Sequence, residues 1–328
     1  MKSAPGSSGN NVPVRDSPVT WEGLLYLFVV YIVWGSTYLA IRVAVREGAG
    51  FPPFTMGCTR MLLAGGLLLL WAAVSRKRLR VSGGELKILI ASGVLLWVGG
   101  NGLVLWAEQR AASGYAALLV GSMPIWVSLM EAVLDRKLPS RRLSVSLLIG
   151  FAGLGLLTLP GLSSGAGAGA GAIIALLAAP VCWSAGLILQ RRKQVKLTVT
   201  ASSGYQQIFG GLGFALLALV FREPVPSPTA EALWAWGYLV VFGSILAFTS
   251  FIKALRLLPT SILMTYSYVN PVIAAVLGWL ILRESINIWT VAGAALILTG
   301  IAGVFRDRQL QKEIHKVTPW EIPSDEKR

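Results

Sequence analysis

The stretch PTSILMTYSYVNPVIAAVLGWLILRE, residues 259–284, combines the length of a membrane span with a polar centre. From Leu258 to Leu280 it carries no charge, which is enough chain to cross the hydrocarbon core of a bilayer. The polar centre consists of Tyr266, Ser267, Tyr268 and Asn270, followed by Pro271. Because unpaired polar groups are costly in lipid, this centre is expected to face other protein or a water-filled cavity. A polar, proline-broken helix is typical of a substrate pathway at the bilayer midplane; a kinked packing helix is the alternative.

The composition is that of an integral membrane protein. Of 328 residues, 55% are hydrophobic and 13% are charged, and the mean hydropathy is +0.66. A soluble domain carries about 25% charged residues. The two cysteines, Cys58 and Cys182, lie in apolar spans and predict no disulfide framework. The net charge of +14 would suggest nucleic acid as the partner of a soluble protein, but here its distribution gives it another role.

Ten apolar spans follow one another with short connections, so we predict an all-α integral membrane protein with ten transmembrane helices. The spans are residues 23–45, 54–74, 86–106, 112–134, 143–160, 169–189, 200–221, 232–252, 258–281 and 287–305. Residues 1–20 are rich in Ser, Gly, Pro and Asn and are expected to be a disordered lead-in. Residues 306–328 form a polar tail that is expected to be cytoplasmic.

The basic residues are divided unequally between the two sides that the spans define. With a cytoplasmic N-terminus, one inside loop alone holds Arg76, Lys77, Arg78, Arg80 and Lys87. The outside segments together hold Arg46, Arg110, Arg222 and Arg283. Because cytoplasmic loops are enriched in Lys and Arg, both termini are predicted to be cytoplasmic. The positive charge then orients the chain in the lipid bilayer, and no nucleic-acid partner is expected.

Residues 21–162 and 163–305 are predicted to be two five-helix repeats. Matching pairs are Pro124 and Pro271, Arg136 and Arg283, and Gly153 and Gly300, each 147 residues apart, together with Trp34 and Trp183, 149 apart. Because each repeat has an odd number of spans, the two halves cross the membrane in opposite senses. Inverted repeats are typical of alternating-access transporters, whose substrate site lies between the repeats.

Polar and aromatic side chains near the span centres are predicted to line a substrate pathway. They are Trp34, Ser36, Tyr38, Arg60, Trp97, Asn101, Met123, Trp126, Trp183, Gln206, Tyr266, Tyr268 and Asn270. Three prolines, Pro124, Pro180 and Pro271, are predicted to break the helices that carry them. Close helix packing is the alternative for small hydroxyl residues such as Ser36.

Two charged residues inside the spans are singled out. Arg60 lies about two turns inside the second span with no acid nearby in sequence. It is expected either to contact substrate or a gate, or to form a structural pair across helices. Glu131, toward the end of the fourth span, is expected to pair with Lys253 or Arg136 rather than to couple transport.

The fifth and tenth spans are rich in glycine, with Gly150, Gly153 and Gly155 in one and Gly293, Gly300 and Gly303 in the other. Glycines at such spacing let helix backbones approach closely. These spans are therefore predicted to be packing helices, and a homodimer through them is a further expectation.

Motifs of catalysis are missing from the sequence. It contains no HExxH, no GxSxG, no P-loop and no pairing of a cysteine with the single histidine, His315, which lies in the tail. We therefore predict that the protein is not an enzyme and needs neither cofactor nor metal. A pump driven by ATP is excluded within this chain.

Four segments together resemble the EamA-type carriers of the drug/metabolite transporter superfamily. They are WGSTYLAIR (34–42), PPFTMGCTRMLLAG (52–65), AEQRAASGYAALL (107–119) and VNPVIAAVLGWLILRE (269–284). The resemblance implies a ten-helix inverted-repeat carrier of the bacterial inner membrane, usually an exporter of amino acids, other metabolites or toxic compounds. It also implies a cavity lined by helices 1, 3, 4, 6, 8 and 9. The acid common in the family after helix 9 matches Glu284, but the equivalent position after helix 4 is Lys137, with Asp135 two residues earlier.

These observations predict a secondary active or facilitative carrier that exports amino acids, small metabolites or drugs by alternating access. The aromatic lining favours an amphipathic solute, and Arg60 favours an anionic group. Protons are one candidate coupling ion; facilitated diffusion is the other possibility. Import of small polar solutes is the alternative function, and a membrane-embedded enzyme or a channel is less favoured, because no intramembrane acid, histidine or metal cluster is visible.

Overall fold

The computed structural model describes residues 19–45, 48–108, 119–162, 170–193, 195–282 and 287–317. Every regular element in these ranges is a helix. The helices are α1 (Trp21–Val45), α2 (Pro53–Val74), α3 (Gly83–Gly93, continuing as Val94–Gly102 and Leu103–Glu108), α4 (Met123–Asp135), α5 (Arg141–Leu162), α6 (Ala170–Arg192), α7 (Val199–Val220), α8 (Ala230–Tyr238, continuing as Leu239–Ala247 and Phe248–Leu257), α9 (Thr260–Leu263 and Tyr266–Leu282) and α10 (Ile288–Val317).

Eight of the helices in the described ranges are long and apolar enough to cross a membrane, by length and composition: α1, α2, α3, α6, α7, α8, α9 and α10. The described part of α4 has 13 residues, and its predicted span, 112–134, begins in a segment outside the described residues. Most of the predicted lead-in and the end of the predicted tail also lie outside them. The beginning of the tail is helical, because α10 continues to Val317.

The prolines lie inside or at the start of helices. Pro180 is inside α6 and Pro271 is inside α9, with helix on both sides. Pro124 is in the first turn of α4, where its missing N–H has no helical partner to lose. The predicted breaks at Pro180 and Pro271 are therefore wrong, and the interruption of α9 lies at Met264 and Thr265. A turn at Gly121 and Ser122 interrupts the chain directly before the helix that carries Pro124.

Two π-helical segments occur at matching places in the two halves of the chain. Val94–Gly102 in α3 and Leu239–Ala247 in α8 are each nine residues long and lie 145 residues apart. A second matching feature ends α2 and α7, where Arg76 and Arg222, 146 residues apart, adopt the left-handed conformation with φ of 52° and 50°. Because few residues other than glycine adopt this conformation, its recurrence at equivalent positions indicates that the two halves share local backbone structure.

The most extensive helix contacts join equivalent helices of the two halves, α2 with α7 and α5 with α10. A Cβ on Gly65 of α2 would lie 2.9 Å from the carbonyl oxygen of Gly204, and a Cβ on Gly211 of α7 would lie 2.8 Å from the side chain of Leu62. Gly211, which comes later in α7 than Gly204, contacts Leu62, which comes earlier in α2 than Gly65. The two helices are therefore antiparallel.

The same arrangement holds for α5 and α10. A Cβ on Gly153 would lie 2.8 Å from the carbonyl oxygen of Gly293, and a Cβ on Gly300 would lie 2.7 Å from the backbone nitrogen of Gly150. These glycines let the two backbones touch within one chain. Because these glycines already contact the other helix of the same chain, they do not supply the homodimer surface expected from the sequence.

Candidate functional site

Six aromatic side chains from both halves meet between the helices. This aromatic cluster consists of Trp34 (α1), Trp97 (α3), Trp183 (α6), Phe248 and Phe251 (α8) and Tyr266 (α9), and all six are buried. The ring centroids of Trp34 and Tyr266 are 5.1 Å apart, and those of Trp34 and Trp183 are 5.9 Å apart with the rings edge to face. Trp97 completes the set through Phe248 at 4.9 Å. Edge-to-face and tilted pairs at these distances are attractive beyond their burial.

The three indole nitrogens of the cluster differ in their hydrogen bonding. Trp34 Nε1 donates a hydrogen bond of 3.1 Å to the carbonyl oxygen of Gly243, in the π-helical segment of α8. In the described part of the chain, the buried Nε1 atoms of Trp97 and Trp183 have no hydrogen-bond partner. A buried donor left unpaired is destabilising, so these two N–H groups mark a place where a water or a polar group of a ligand would be held.

Arg60 of α2 lies beside this cluster. Its side chain is only 8% exposed, and its Nε donates a 2.7 Å hydrogen bond to Ser244 Oγ. Gln207 Nε2 donates to the carbonyl oxygen of Ser244 at 3.0 Å, so α2, α7 and α8 meet at one residue. A Cβ on Gly243 would lie 3.0 Å from Arg60 Nη2 and 3.1 Å from Thr37 Cγ2, which shows that the guanidinium packs against a glycine backbone. We call Thr37, Arg60, Gln207, Gly243 and Ser244 the Arg60 site.

The equivalent position in the second half is neutral. Gln206 is the eighth residue of α7, as Arg60 is of α2. Gln206 is buried and its Nε2 donates to Ser92 Oγ at 2.9 Å. Its Oε1 has no partner among the described residues. The two halves therefore place a cation and an amide at corresponding depths of two antiparallel helices.

A pocket lies next to Gln206. Its empty volume, including its open mouth, is about 390 Å³, and its wall includes Gln190, Ser202 and Arg256. It lies at the end of the molecule where α6 ends and α7 begins, among basic residues. It does not contain the aromatic cluster or the Arg60 site.

The remaining predicted pathway residues lie at different distances from the aromatic cluster. Tyr266 donates its hydroxyl proton to Met123 Sδ at 3.6 Å, which brings α4 to the cluster. Ser36 Oγ lies 2.6 Å from the hydroxyl of Tyr238. Trp126 Nε1 donates to Ser122 Oγ within α4 at 3.1 Å.

Asn101 is not brought to the cluster by any described contact. The amide of Asn101 donates to the carbonyl oxygen of Leu96 at 3.4 Å, within the π-helical segment of α3. The side chain of Tyr38 lies outside the described part of the structure.

Tyr268 contacts a different helix from Tyr266. The Tyr268 hydroxyl donates to the carbonyl oxygen of Leu147 at 3.0 Å, and its ring packs against Gly150, so this side chain faces α5. Asn270 is 3% exposed, and its Oδ1 has no hydrogen-bond partner in the described ranges. Neighbouring tyrosines of the opening stretch therefore contact different helices.

Near the beginning of α1, hydroxyl and charged groups join the two halves. The Tyr31 hydroxyl lies 2.5 Å from Thr265 Oγ1, and Lys253 Nζ donates to the Tyr26 hydroxyl at 2.7 Å. Thr260 Oγ1 donates to Glu131 Oε1 at 2.6 Å. The expected pairing of Glu131 with Lys253 or Arg136 is therefore wrong, because the fold brings the N-terminal turn of α9 to this carboxylate instead.

One acid at the end of α4, Asp135, forms an ion pair at the surface. Arg192 Nη2 lies 2.6 Å from Asp135 Oδ1, at the ends of α6 and α4. Both side chains are partly exposed, so the pair contributes little to stability. Glu284, the acid matched in the second half, lies outside the described residues.

Eight contributors were not among the predicted pathway residues: Tyr31, Thr37, Gln207, Gly243, Ser244, Phe248, Phe251 and Thr265. Phe248 and Phe251 are spaced three apart in FTSF, so they share a helix face, and this spacing was the available signal. No group of three or more His, Cys, Asp or Glu that would hold a metal occurs among the described residues.

The fold and the site together define a multi-pass helical membrane protein whose two halves enclose a buried polar and aromatic centre. The chain matches the EamA-like transporter family over residues 21–159 and again over residues 170–306, so it belongs to that family. The predicted resemblance is confirmed.

The chain is similar to named transporters over most of its length. It is 32% identical over 255 residues to the inner membrane transporter YedA of Escherichia coli (strain K12), and the matched region covers 77% of this chain and 80% of that relative. It is 28% identical over 278 residues to the S-adenosylmethionine/S-adenosylhomocysteine transporter of Chlamydia trachomatis serovar L2, covering 80% and 82%. A crystal structure with 20% identity has a TM-score of 0.74 over 88% of this chain and 98% of the other, which shows the likeness of fold.

Proposed function

We propose that the protein is a secondary carrier of ten transmembrane helices, in which two inverted five-helix halves give a small organic solute alternating access to the two sides of the bacterial inner membrane. The antiparallel packing of α2 on α7 and of α5 on α10 supports this arrangement, because equivalent helices related by an axis in the membrane plane run in opposite directions. The two family matches, one in each half, support a repeat.

The aromatic cluster is the observation that carries the proposal. It joins α1 and α3 of the first half to α6, α8 and α9 of the second, and Met123 brings in α4. The solute binds here, where indole N–H groups and Arg60 are buried between the halves. The cluster and the Tyr31–Thr265 contact close the pathway toward the end where α1 begins.

The termini are cytoplasmic and the solute is exported. The excess of basic residues at the end where α1 begins supports this orientation. In this orientation the Tyr31–Thr265 contact lies toward the cytoplasmic side and belongs to a state that is closed by this contact. Export is the direction that the resemblance to EamA-type carriers implies. Import of a small polar solute is the alternative, and it requires the same site and the reverse gradient.

Transport into proteoliposomes tests the proposal. The labelled panel contains aromatic and aliphatic amino acids, amphipathic amines and S-adenosylhomocysteine. The last is included because one relative of this chain is named as a transporter of that compound. Flux of each solute is measured with and without a pH gradient. We expect flux of at least one solute, reduced at least tenfold by Trp183→Ala, since tenfold corresponds to about 1.4 kcal/mol and removal of a buried aromatic anchor costs at least that much binding energy.

The matched control is Trp279→Ala in α9, because the Trp279 side chain is 49% exposed on the outer surface of the helices. This variant is expected to transport normally. Flux that is unchanged in Trp183→Ala at equal abundance would remove the aromatic cluster from the pathway. Absence of flux for every solute in the panel would contradict the carrier function for these solute classes.

A further inference from the structure

We infer that Arg60 binds an anionic group of the solute, so that the substrate class is an organic carboxylate with an apolar or aromatic body; this inference deepens the proposed function and rests on it. The Arg60 site is the anionic subsite, and the aromatic cluster receives the body of the solute. Arg60 is buried, has no counter-charge among the described residues, and lies against Gly243, whose carbonyl oxygen accepts the N–H of Trp34.

The charge of Arg60 is buried without a counter-charge among the described residues. Its recorded bond is Nε to Ser244 Oγ, a neutral acceptor. Two ion pairs in the described part of the chain, Arg78 with Glu85 and Arg192 with Asp135, lie elsewhere. An arginine has five N–H donors, so Nη1 and Nη2 keep four that Ser244 does not occupy. Removing a cation from water without a partner is strongly unfavourable, and a bound anion supplies the partner.

The guanidinium is held in one orientation, and its Nη2 lies against the backbone of Gly243. Ser244 fixes Nε, and Gln207 fixes the backbone of Ser244. The residue facing Nη2 is Gly243, which presents no side chain. A fixed guanidinium with its two Nη groups available matches the two oxygens of a carboxylate, which it binds in a bidentate manner.

Gly243 also connects this subsite to the aromatic cluster. Its carbonyl oxygen accepts the N–H of Trp34, and Trp34 is in edge-to-face contact with Trp183. A solute whose carboxylate binds Arg60 therefore has indole rings within the length of one aromatic group. The unpaired N–H groups of Trp97 and Trp183 are donors as well, which again favours a solute rich in hydrogen-bond acceptors.

The neutral counterpart of Arg60 in the other half makes the pathway electrically asymmetric. Gln206 provides an amide at the equivalent depth from the opposite end. At these two equivalent positions an anion meets a fixed positive charge in the first half and a neutral amide in the second.

Binding of paired probes to the purified protein in detergent tests the inference. Indole-3-acetate and its neutral analogue indole-3-acetamide differ in the charge of one group, and benzoate with benzamide forms a second pair. We expect at least one carboxylate to bind at least tenfold more tightly than its amide, measured by isothermal titration calorimetry and by thermal shift. Arg60→Gln is expected to abolish this difference, and Arg60→Lys to restore part of it.

A second variant tests the anionic subsite independently, in case Arg60→Gln does not fold. Gly243→Ala places a methyl group 3.0 Å from Nη2 and is expected to weaken carboxylate binding severalfold, whereas Gly237→Ala in the same helix meets no atom within 4 Å and is expected to have no effect. Equal binding of carboxylates and amides in the unaltered protein overturns the inference. So does an unchanged preference in a folded Arg60→Gln variant.

Transport separates this inference from the proposed function. If Arg60→Gln loses flux of carboxylates but keeps flux of a neutral solute, both stand. If the protein binds carboxylates through Arg60 but moves no solute across liposomes, the subsite stands and the carrier function fails. If transport is intact and insensitive to Arg60→Gln, the carrier stands and the anionic subsite is wrong.

Discussion

The hydroxyl of Tyr31 and the hydroxyl of Thr265 lie 2.5 Å apart and join α1 of the first half to the interruption of α9 in the second. Thr265 Oγ1 also donates to the carbonyl oxygen of Ile262 at 2.6 Å, so Tyr31 is the donor in its contact with Thr265. The contact uses the one place where α9 is not helical. A small change of backbone at Thr265 would therefore separate the halves at this end.

Removing this contact is expected to loosen the closed end without unfolding the protein. Tyr31→Phe deletes the donor and should lower the free energy of unfolding by about 0.5–1 kcal/mol. Thr265→Val deletes the acceptor, and the double variant should cost less than the sum of the two single variants. Unfolding in SDS titrations measures all three, and strict additivity would show that the two hydroxyls do not interact.

Glu223 is expected to stabilise the start of α2 across the boundary between the halves. The helix begins after Pro52 without a cap of its own, and the carboxylate of Glu223 accepts from Phe54 N at 2.8 Å and Thr55 N at 2.6 Å. Glu223→Ala should cost about 1–2 kcal/mol of unfolding free energy, because a charged cap and its interaction with the helix dipole are lost.

The control for Glu223 is another acid, Asp135. Asp135→Ala removes an exposed ion pair with Arg192 and should change the same free energy by less than about 0.5 kcal/mol. Equal effects of the two substitutions would mean that the cap contributes nothing beyond general electrostatics.

The close approach of α5 and α10 predicts that Gly153 tolerates no larger side chain. A Cβ at this position would lie 2.7 Å from the backbone nitrogen of Ile297, so the two backbones must separate. Gly153→Ala should destabilise by about 1–3 kcal/mol through overpacking. Gly66→Ala, where no atom lies within 4 Å, should instead stabilise by roughly 0.5–1 kcal/mol, since alanine favours the helix. Thermal unfolding in detergent compares the two, and a stable Gly153→Ala variant contradicts the packing described.

The inverted arrangement can be tested with Arg76 and Arg222, which end α2 and α7 in the same left-handed conformation. If the halves are inverted, these equivalent positions lie on opposite sides of the membrane. With Cys58 and Cys182 replaced by serine, Arg222→Cys should react with an impermeant maleimide added to intact cells, and Arg76→Cys should react only in inside-out vesicles. Reaction of both from the same side would refute the inverted topology.

The sequence predicted the helices well because uncharged runs of membrane length and glycine spacing are local signals. It also singled out Trp34, Trp97, Trp183 and Tyr266, which the structure brings into one cluster. It did not distinguish Tyr266 from Tyr268, since the face that each presents depends on where α1 and α5 pack. The contact of Glu131 with Thr260 was missed for the same reason: helices distant in the chain select the partner of a buried acid.

Phe248 and Phe251 illustrate a different limit. An apolar aromatic side chain in a membrane span contacts lipid or core equally well, and composition does not separate the two. The π-helical segments were invisible as well, because they depend on which backbone groups bond and not on a recognisable residue pattern.

The two π-helical segments also supply parts of the candidate site. Val94–Gly102 contains Trp97, and Leu239–Ala247 contains Gly243 and Ser244. π-Helical turns are rare and occur frequently at functional sites. Wherever the backbone of either segment returns to α-helical hydrogen bonding, the side chains that follow it rotate about the helix axis, so a change in either segment alters which groups face the aromatic cluster.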